Sequence, residues 1–174
     1  MLTLVVGGAG SGKSAYAETL ILRCAAQKRI YLATMEPYGD EARRRIEKHR
    51  AMRANKGFIT LERFTDLAGA AIPPDSAVLL EDLGNLCANE LFSPWGAGDG
   101  ATEAILRGVD HLLAKCRDLV IVSNEVFTGG TDYAGDTERY LSVLAYLNRK
   151  LAALADRVCE VNGGIATYYK GEEA

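Results

Sequence analysis

Eight residues near the start of the chain, Gly7-Gly8-Ala9-Gly10-Ser11-Gly12-Lys13-Ser14, constrain what it can fold into more than any other stretch. They follow an apolar run at 2–6 and open into a helical pattern from Ala15-Tyr16-Ala17-Glu18, so the motif G-x-x-x-x-G-K-[ST] stands in the strand, loop and helix setting that it requires. Its glycines permit a tight turn whose successive backbone N–H groups converge on phosphate oxygens, aided by the positive end of the following helix. Lys13 then reaches the β- and γ-phosphates, and the Ser14 hydroxyl meets Mg²⁺. The loop specifies a nucleotide's phosphates and leaves their acceptor open.

A chain of 174 residues is long enough to bury an ordinary α/β core and is read as a single domain, 1–174. With 48% hydrophobic and 25% charged residues it has a globular composition, and its net charge of −3 gives no electrostatic reason for nucleic acid or an anionic membrane as partner. The first strand runs straight into the phosphate loop without a cationic leader, and no apolar run approaches a membrane span, so the expected location is the cytoplasm. Cys24, Cys87, Cys116 and Cys159 stand singly, without a C-x-x-C pair. They are expected as buried, small apolar side chains in a reducing compartment.

Beyond the loop, 15–26 places Ala17, Leu20, Ile21 and Cys24 on one helical face. The β-rich run 29–34 predicts a second strand parallel to the first, which brings Thr34, Met35 and Glu36 to the ligand-bearing edge of the sheet. A charged helix is predicted over 40–53, with Asp40 and Glu41 in its first turn and bases behind them, as the helix dipole favours. On charge alone this is a solvated surface helix. His49, however, has Arg45 and Arg53 four residues away on its own face and Arg50 beside it. Cations hold a histidine neutral and nucleophilic and also grip phosphate, which makes His49 a candidate covalent site.

A strand follows a turn within 56–62, and 66–72 reads as a short helix closed by Pro73-Pro74. The apolar run 76–80 is that of a central parallel strand, and it ends in Glu81-Asp82, where a carboxylate can hold Mg²⁺. A helix over 84–92 carries Asn85 and Asn89 as polar interruptions; the Gly-rich loop 93–100 holds the lone Trp95. The helix 101–115 points Ile105, Val109, Leu112 and Leu113 inward and His111 to its polar side. After a buried strand over 118–125 comes a loop, Gly129-Gly130-Thr131-Asp132-Tyr133, able to close on a substrate. The helix 136–155 sets Tyr140, Leu144, Leu147, Leu151 and Leu154 at core spacing, and two strands around Asn162-Gly163-Gly164 form a terminal hairpin.

The phosphate loop, Tyr31-Leu32-Ala33-Thr34, Arg45-Ile46-x-x-His49-x-x-x-Arg53, Leu79-Leu80-Glu81, Asn89, Asn124-Glu125-Val126 and Asn148-x-x-Leu151-Ala152-x-x-Ala155-Asp156, in this order, resemble the bifunctional adenosylcobinamide kinase / adenosylcobinamide-phosphate guanylyltransferase family. The resemblance covers essentially the whole chain. It implies an α/β fold, a P-loop NTPase-type (RecA-like) mostly parallel sheet flanked by helices with a C-terminal hairpin. It also implies two reactions. A nucleoside triphosphate, ATP or GTP, phosphorylates adenosylcobinamide, and GTP transfers GMP through a histidine to the phosphorylated corrinoid, giving adenosylcobinamide-GDP. The family histidine corresponds to His49. Nucleotide contacts carry over to residues Gly7, Gly8, Ala9, Gly10, Ser11, Gly12, Lys13 and Ser14, to Thr34, Met35 and Glu36, to Arg50, Ala51, Met52 and Arg53, and to Glu62 and Glu81. His49 and Lys13 are the implied catalytic residues, Ser14 and Glu81 the implied Mg²⁺ ligands, and a homotrimer the implied assembly.

The chain departs from the family pattern where Phe127-Thr128-Gly129-Gly130-Thr131-Asp132 replaces Gly-x-Gly-Ile-Val-Pro and Thr137-Glu138-Arg139-Tyr140-Leu141 replaces an arginine-bearing segment. These changes bear on the corrinoid contacts. Phe58 and Gly164-Ile165-Ala166 are packing changes, and the Trp95 loop matches no motif. Two other readings of the loop stay open: a P-loop small-molecule or nucleoside kinase without a covalent intermediate, which leaves His49 without a role, and a nucleotide-dependent switch protein that binds a partner through its long C-terminal helix.

Overall fold

The computed structural model describes residues 1–127 and 133–172, apart from the side chain of Met52. Seven strands form one sheet: β1 (Leu2–Gly7), β2 (Arg29–Ala33), β3 (Phe58–Glu62), β4 (Ala77–Glu81), β5 (Asp118–Asn124), β6 (Arg157–Asn162) and β7 (Ile165–Lys170). Their order is β3-β2-β4-β5-β1-β6-β7, parallel throughout except that β7 returns antiparallel to β6 across the predicted hairpin. The second strand is therefore parallel to the first, as expected, with β4 and β5 between them.

Side chains along the parallel strands alternate between two cores, because neighbouring residues of a strand face opposite sides of the sheet. Leu4, Leu32, Leu80 and Ile121 join the core on one face, with α3 (Leu83–Phe92), α4 (Ala101–Lys115) and α5 (Asp136–Leu154). Val5, Tyr31, Leu79 and Val122 join the other, under α1 (Lys13–Arg23), which contributes Ala17, Leu20 and Ile21 as its spacing predicts. Leu79 and Leu80 are both fully buried. Truncating either to alanine would cost roughly 2–5 kcal/mol, since a filled site on each face becomes a cavity. Among the described residues no helix is long and apolar enough to cross a membrane.

Four expectations need correction. Residues 66–72 form only a 3-10 turn, Leu67–Gly69, because Asp66 enters with a left-handed backbone, φ 51°, and leaves no room for a longer helix before Pro73. His111 is not simply on a polar face: its Nε2 donates to the Ala70 carbonyl at 3.0 Å, pinning α4 to that turn. Leu154 lies outside the core, 58% exposed, because α5 ends there and the chain turns away. Cys24 and Cys116 are only partly buried, while Cys87 and Cys159 are buried; all four are free thiols.

The strand pairing places the site. Gly7 is level with Asn124, and Ala33 is level with both Glu62 and Glu81, so the carboxyl ends of five strands form one edge. In open α/β sheets this is the edge where ligands collect.

Candidate active site

The phosphate loop takes its shape from its glycines and its neighbours. Gly12 starts α1 with φ 92°, where a side chain would be strained and would also press on Gly164 of the hairpin, 3.1 Å from an added Cβ. Gly164 N–H donates to the Ser11 carbonyl at 2.8 Å, so the terminal hairpin buttresses the loop from behind. No side chain caps α1, which leaves its first N–H groups for a ligand. Lys13 is buried and its Nζ donates to the Gly8 carbonyl at 3.0 Å.

Opposite the loop lies α2 (Gly39–Arg53), joined by the end of β3. Between them is a cavity of about 540 Å³, a size that suits a nucleotide. Ala9 to Ser14 form its floor; His49, Arg50 and Arg53 face it from α2, and Met35, Glu62, Glu81 and Asn124 complete its rim. Of the residues implied by sequence, the structure thus brings Ala9, Gly10, Ser11, Gly12, Lys13, Ser14, Met35, His49, Arg50, Arg53, Glu62 and Glu81 to one cavity. Gly7 and Gly8 stand behind it as backbone support. Thr34, Glu36 and Ala51 do not line it, and for Met52 only the backbone is described.

Thr34 stands at the expected edge of the sheet, but behind the lining of the cavity. It is fully buried, accepts from the Asp82 N–H at 2.7 Å, and its hydroxyl lies 3.0 Å from the Glu81 carbonyl and 2.8 Å from that of Asp82. Thr34 therefore shapes the turn that aims Glu81. Asp82 is occupied too: it caps α3 through the Gly84 N–H at 2.6 Å, and Asn124 Nδ2 donates to both its oxygens at 2.8 and 2.9 Å. Glu81 is the carboxylate left for a ligand. Ser14 Oγ donates to its Oε1 at 2.5 Å, while Oε2 is buried without a hydrogen-bond partner among the described residues. Burial pushes the Glu81 carboxyl up to about 7 against the lowering effect of Ser14, with Asp82 adding to the rise.

A hydroxyl beside an unsatisfied buried carboxylate oxygen is a donor set that fits Mg²⁺, which takes one or two protein oxygens and completes its shell with water and phosphate. The positive groups lie across the cavity. Arg53, 6% exposed, holds its guanidinium 3.3 Å from the centre of the Tyr31 ring, and its Nε and Nη1 are buried without partners among the described residues. Arg50 pairs with Glu62 at 2.6 Å. His49 is half-buried with Nδ1 unpartnered among the described residues; desolvation chiefly, then Arg53, holds its pKa below 6.5. At neutral pH its imidazole is uncharged and nucleophilic.

Sequence reasoning missed Tyr31, Glu18 and the brace on α3. Tyr31 read as part of a β-rich strand and of the family resemblance, with no role at the site. Glu18, 1% exposed, receives Lys56 Nζ at 2.5 Å, and its signal was an acid beside Ala17 on the buried face of α1. Asn89 read as an interruption, yet its Nδ2 donates to the carbonyls of Thr34 at 2.8 Å and Phe64 at 3.0 Å. Of the loop Gly129-Gly130-Thr131-Asp132-Tyr133, expected to close on a substrate, all but Tyr133 lie outside the described residues.

Comparison with known proteins gives the family of the chain. The profile described as "Cobinamide kinase / cobinamide phosphate guanyltransferase" matches residues 3–168. The chain is 34% identical to the bifunctional adenosylcobalamin biosynthesis protein CobU of Escherichia coli K12, over 98% of this chain and 100% of that one. It is 34% identical to CobU of Salmonella typhimurium LT2, over 98% and 100%, and 32% identical to CobP of Pseudomonas aeruginosa PAO1, over 99% of each. A wider likeness, of fold alone, links it to an ATPase from the type III secretion system of pathogenic bacteria at TM-score 0.54 and 8% identity, over 96% of this chain and 56% of that one. Phosphate loop, histidine helix and full-length similarity converge: the chain belongs to the cobinamide kinase / cobinamide phosphate guanyltransferase family.

Proposed function

We propose that the chain phosphorylates adenosylcobinamide with a nucleoside triphosphate and transfers GMP from GTP, through guanylylated His49, to adenosylcobinamide phosphate, giving adenosylcobinamide-GDP. The observation that carries this is the placement of His49 across one cavity from Lys13 and Ser14. One anchored triphosphate then presents its γ-phosphate to a hydroxyl or its α-phosphate to an imidazole.

In the kinase reaction the aminopropanol oxygen bonds to the γ-phosphorus, the bond to the bridging oxygen breaks, and the hydroxyl loses its proton. Lys13 and the loop N–H groups hold the phosphates in line. In the second reaction the neutral His49 ring attacks the α-phosphorus and pyrophosphate leaves. A phosphate oxygen of the corrinoid then displaces the imidazole, breaking the N–P bond and restoring the histidine. Splitting the transfer in two lets each displacement use the same cationic groups, with Arg50 and Arg53 facing the developing charge. Ser14 and Glu81 would hold Mg²⁺, which neutralises phosphate charge when bound. The family resemblance also supports a homotrimer located in the cytoplasm.

Incubation with GTP labelled at the α-phosphate tests this. The wild type should acquire an acid-labile, alkali-stable label that His49→Ala lacks and that a chase with adenosylcobinamide phosphate removes. A wild type that stays unlabelled while phosphorylating adenosylcobinamide would overturn the guanylyl transfer.

A further inference from the structure

Beside the nucleotide cavity, and sharing Glu62 with it, lies a second cleft of about 310 Å³ walled by Glu36, Arg63, Phe64, Asp66 and Trp95. Trp95 is the only tryptophan of the chain and is 85% exposed. Its loop is nonetheless firmly built. Glu90 on α3, 2% exposed, accepts the Asp66 N–H at 2.7 Å and the Ala97 N–H at 2.9 Å. Its neighbour Asn89 holds the carbonyls of Thr34 and Phe64. Gly96 lies so close to α3 that an added Cβ would stand 2.4 and 2.5 Å from the Asn89 and Glu90 carbonyl oxygens. Three loops are thus braced on one end of one helix. The brace holds the indole in water, where it gains nothing from burial.

We propose that this cleft seats the corrin ring of the corrinoid substrate, with Trp95 supporting a face of the macrocycle and the carboxylates receiving its amide side chains. The assignment rests on the corrinoid reading given above. Three features commit the cleft to this occupant. First, it adjoins the nucleotide cavity, with Glu62 on the lining of both, so a ring seated there has its aminopropanol arm on the side of the phosphate being transferred. Second, the charges match. Cobalt(III), a monoanionic corrin and an adenosyl carbanion leave adenosylcobinamide with a net charge of +1; at the cleft Arg63 pairs with Asp66 and Arg50 with Glu62, each at 2.6 Å, which leaves the Glu36 carboxylate in excess among the described ion pairs. Third, a cobinamide lacks the nucleotide base that would cover its lower face, and that face is a broad conjugated surface onto which an exposed indole can stack. The cleft is too small to enclose a corrinoid, so it takes one edge of the ring while Trp95 carries the face.

The test compares wild type, Trp95→Ala and Trp95→Phe, measuring KM for adenosylcobinamide in the kinase reaction, labelling of His49 by GTP without corrinoid, and the mass of the assembly. Trp95→Ala should raise the corrinoid KM about tenfold or more, Trp95→Phe should recover much of the loss, and both should label like wild type. An unchanged KM in Trp95→Ala overturns the cleft assignment. So does a matching loss of labelling, which would place Trp95 in the nucleotide site. A changed assembly mass with an unchanged KM gives the cleft to a second copy of the chain and overturns it equally. A wild type without activity on any corrinoid would instead sink the parent reading.

Discussion

Ser14 Oγ and Glu81 Oε1 lie 2.5 Å apart across 67 residues of sequence, joining the first turn of α1 to the end of β4. The contact leaves Glu81 Oε2 buried and unpartnered among the described residues, and burial pushes this carboxyl from 4.5 up to about 7. Between those values the unfolded chain releases the proton while the folded chain keeps it, so stability falls as pH rises. The nucleotide-free, Mg²⁺-free protein should lose on the order of 3 kcal/mol through this group between about pH 4.5 and pH 8. Glu81→Gln should be spared. Urea unfolding of both proteins across that range should show the variant gaining on wild type with rising pH; a constant difference would contradict the assignment.

Lys13 makes one hydrogen bond in the nucleotide-free fold, to the Gly8 carbonyl at 3.0 Å among the described contacts. Lys13→Ala should therefore fold, yet lose the charge that meets the β- and γ-phosphates. The expected result, by calorimetric titration, is a GTP affinity about 100-fold weaker, corresponding to about 3 kcal/mol. Unaltered affinity would remove the loop from the mechanism.

His49 is held below its ordinary pKa of 6.5 first by desolvation and next by Arg53, with Arg45 and Lys48 acting the same way and Glu18 opposing them. As pH falls below 6.5 the unfolded histidine binds a proton that the folded one resists, so this group costs stability on the acid side. Only two histidines are present. The ring resonance missing from His49→Ala is therefore assignable by NMR, and its midpoint should lie below 6.5 and move upward in Arg53→Met. A downward or absent movement would show that Arg53 does not set the charge of the imidazole.

Much of the site was readable because it depends on local pattern. The loop glycines, the period-two strands and the Arg-flanked histidine each carry their own signal, and strand ends gather at one edge by topology alone. Thr34 was placed at the right edge, but its hydrogen bonds to Glu81 and Asp82 could not be read from the sequence, because they depend on how two strands meet. Tyr31 beneath Arg53 pairs a sheet residue with one 22 positions later, which no periodicity predicts. Asn89 looked like a polar flaw in an apolar helix, and Glu90 beside it carried no signal, because their partners are backbone groups of distant loops.

The Glu90 carboxylate satisfies two backbone N–H groups at once while 2% exposed. Removing it in Glu90→Ala takes the charged acceptor from both N–H groups and should destabilise the protein by about 1–3 kcal/mol. Thermal unfolding measures this, and Glu90→Gln, which retains one acceptor oxygen, should lose less. Equal losses would mean that the side chain fills space and does not brace the loops.

Glu18 and Lys56 test how α1 and the turn after α2 are held together. The carboxylate is 1% exposed and its Oε2 receives Lys56 Nζ at 2.5 Å, whereas the lysine side chain is 34% exposed. Lys56→Met strands a buried negative charge and should cost about 3 kcal/mol, the low end for breaking a buried pair because the lysine is partly solvated. Glu18→Leu together with Lys56→Met removes both the charge and its desolvation penalty and should recover most of that loss. A double-mutant cycle by urea denaturation gives the coupling. Additive losses would mean that the pair contributes nothing jointly, and the alignment of the histidine helix over the phosphate loop would then rest on Arg53 and Tyr31.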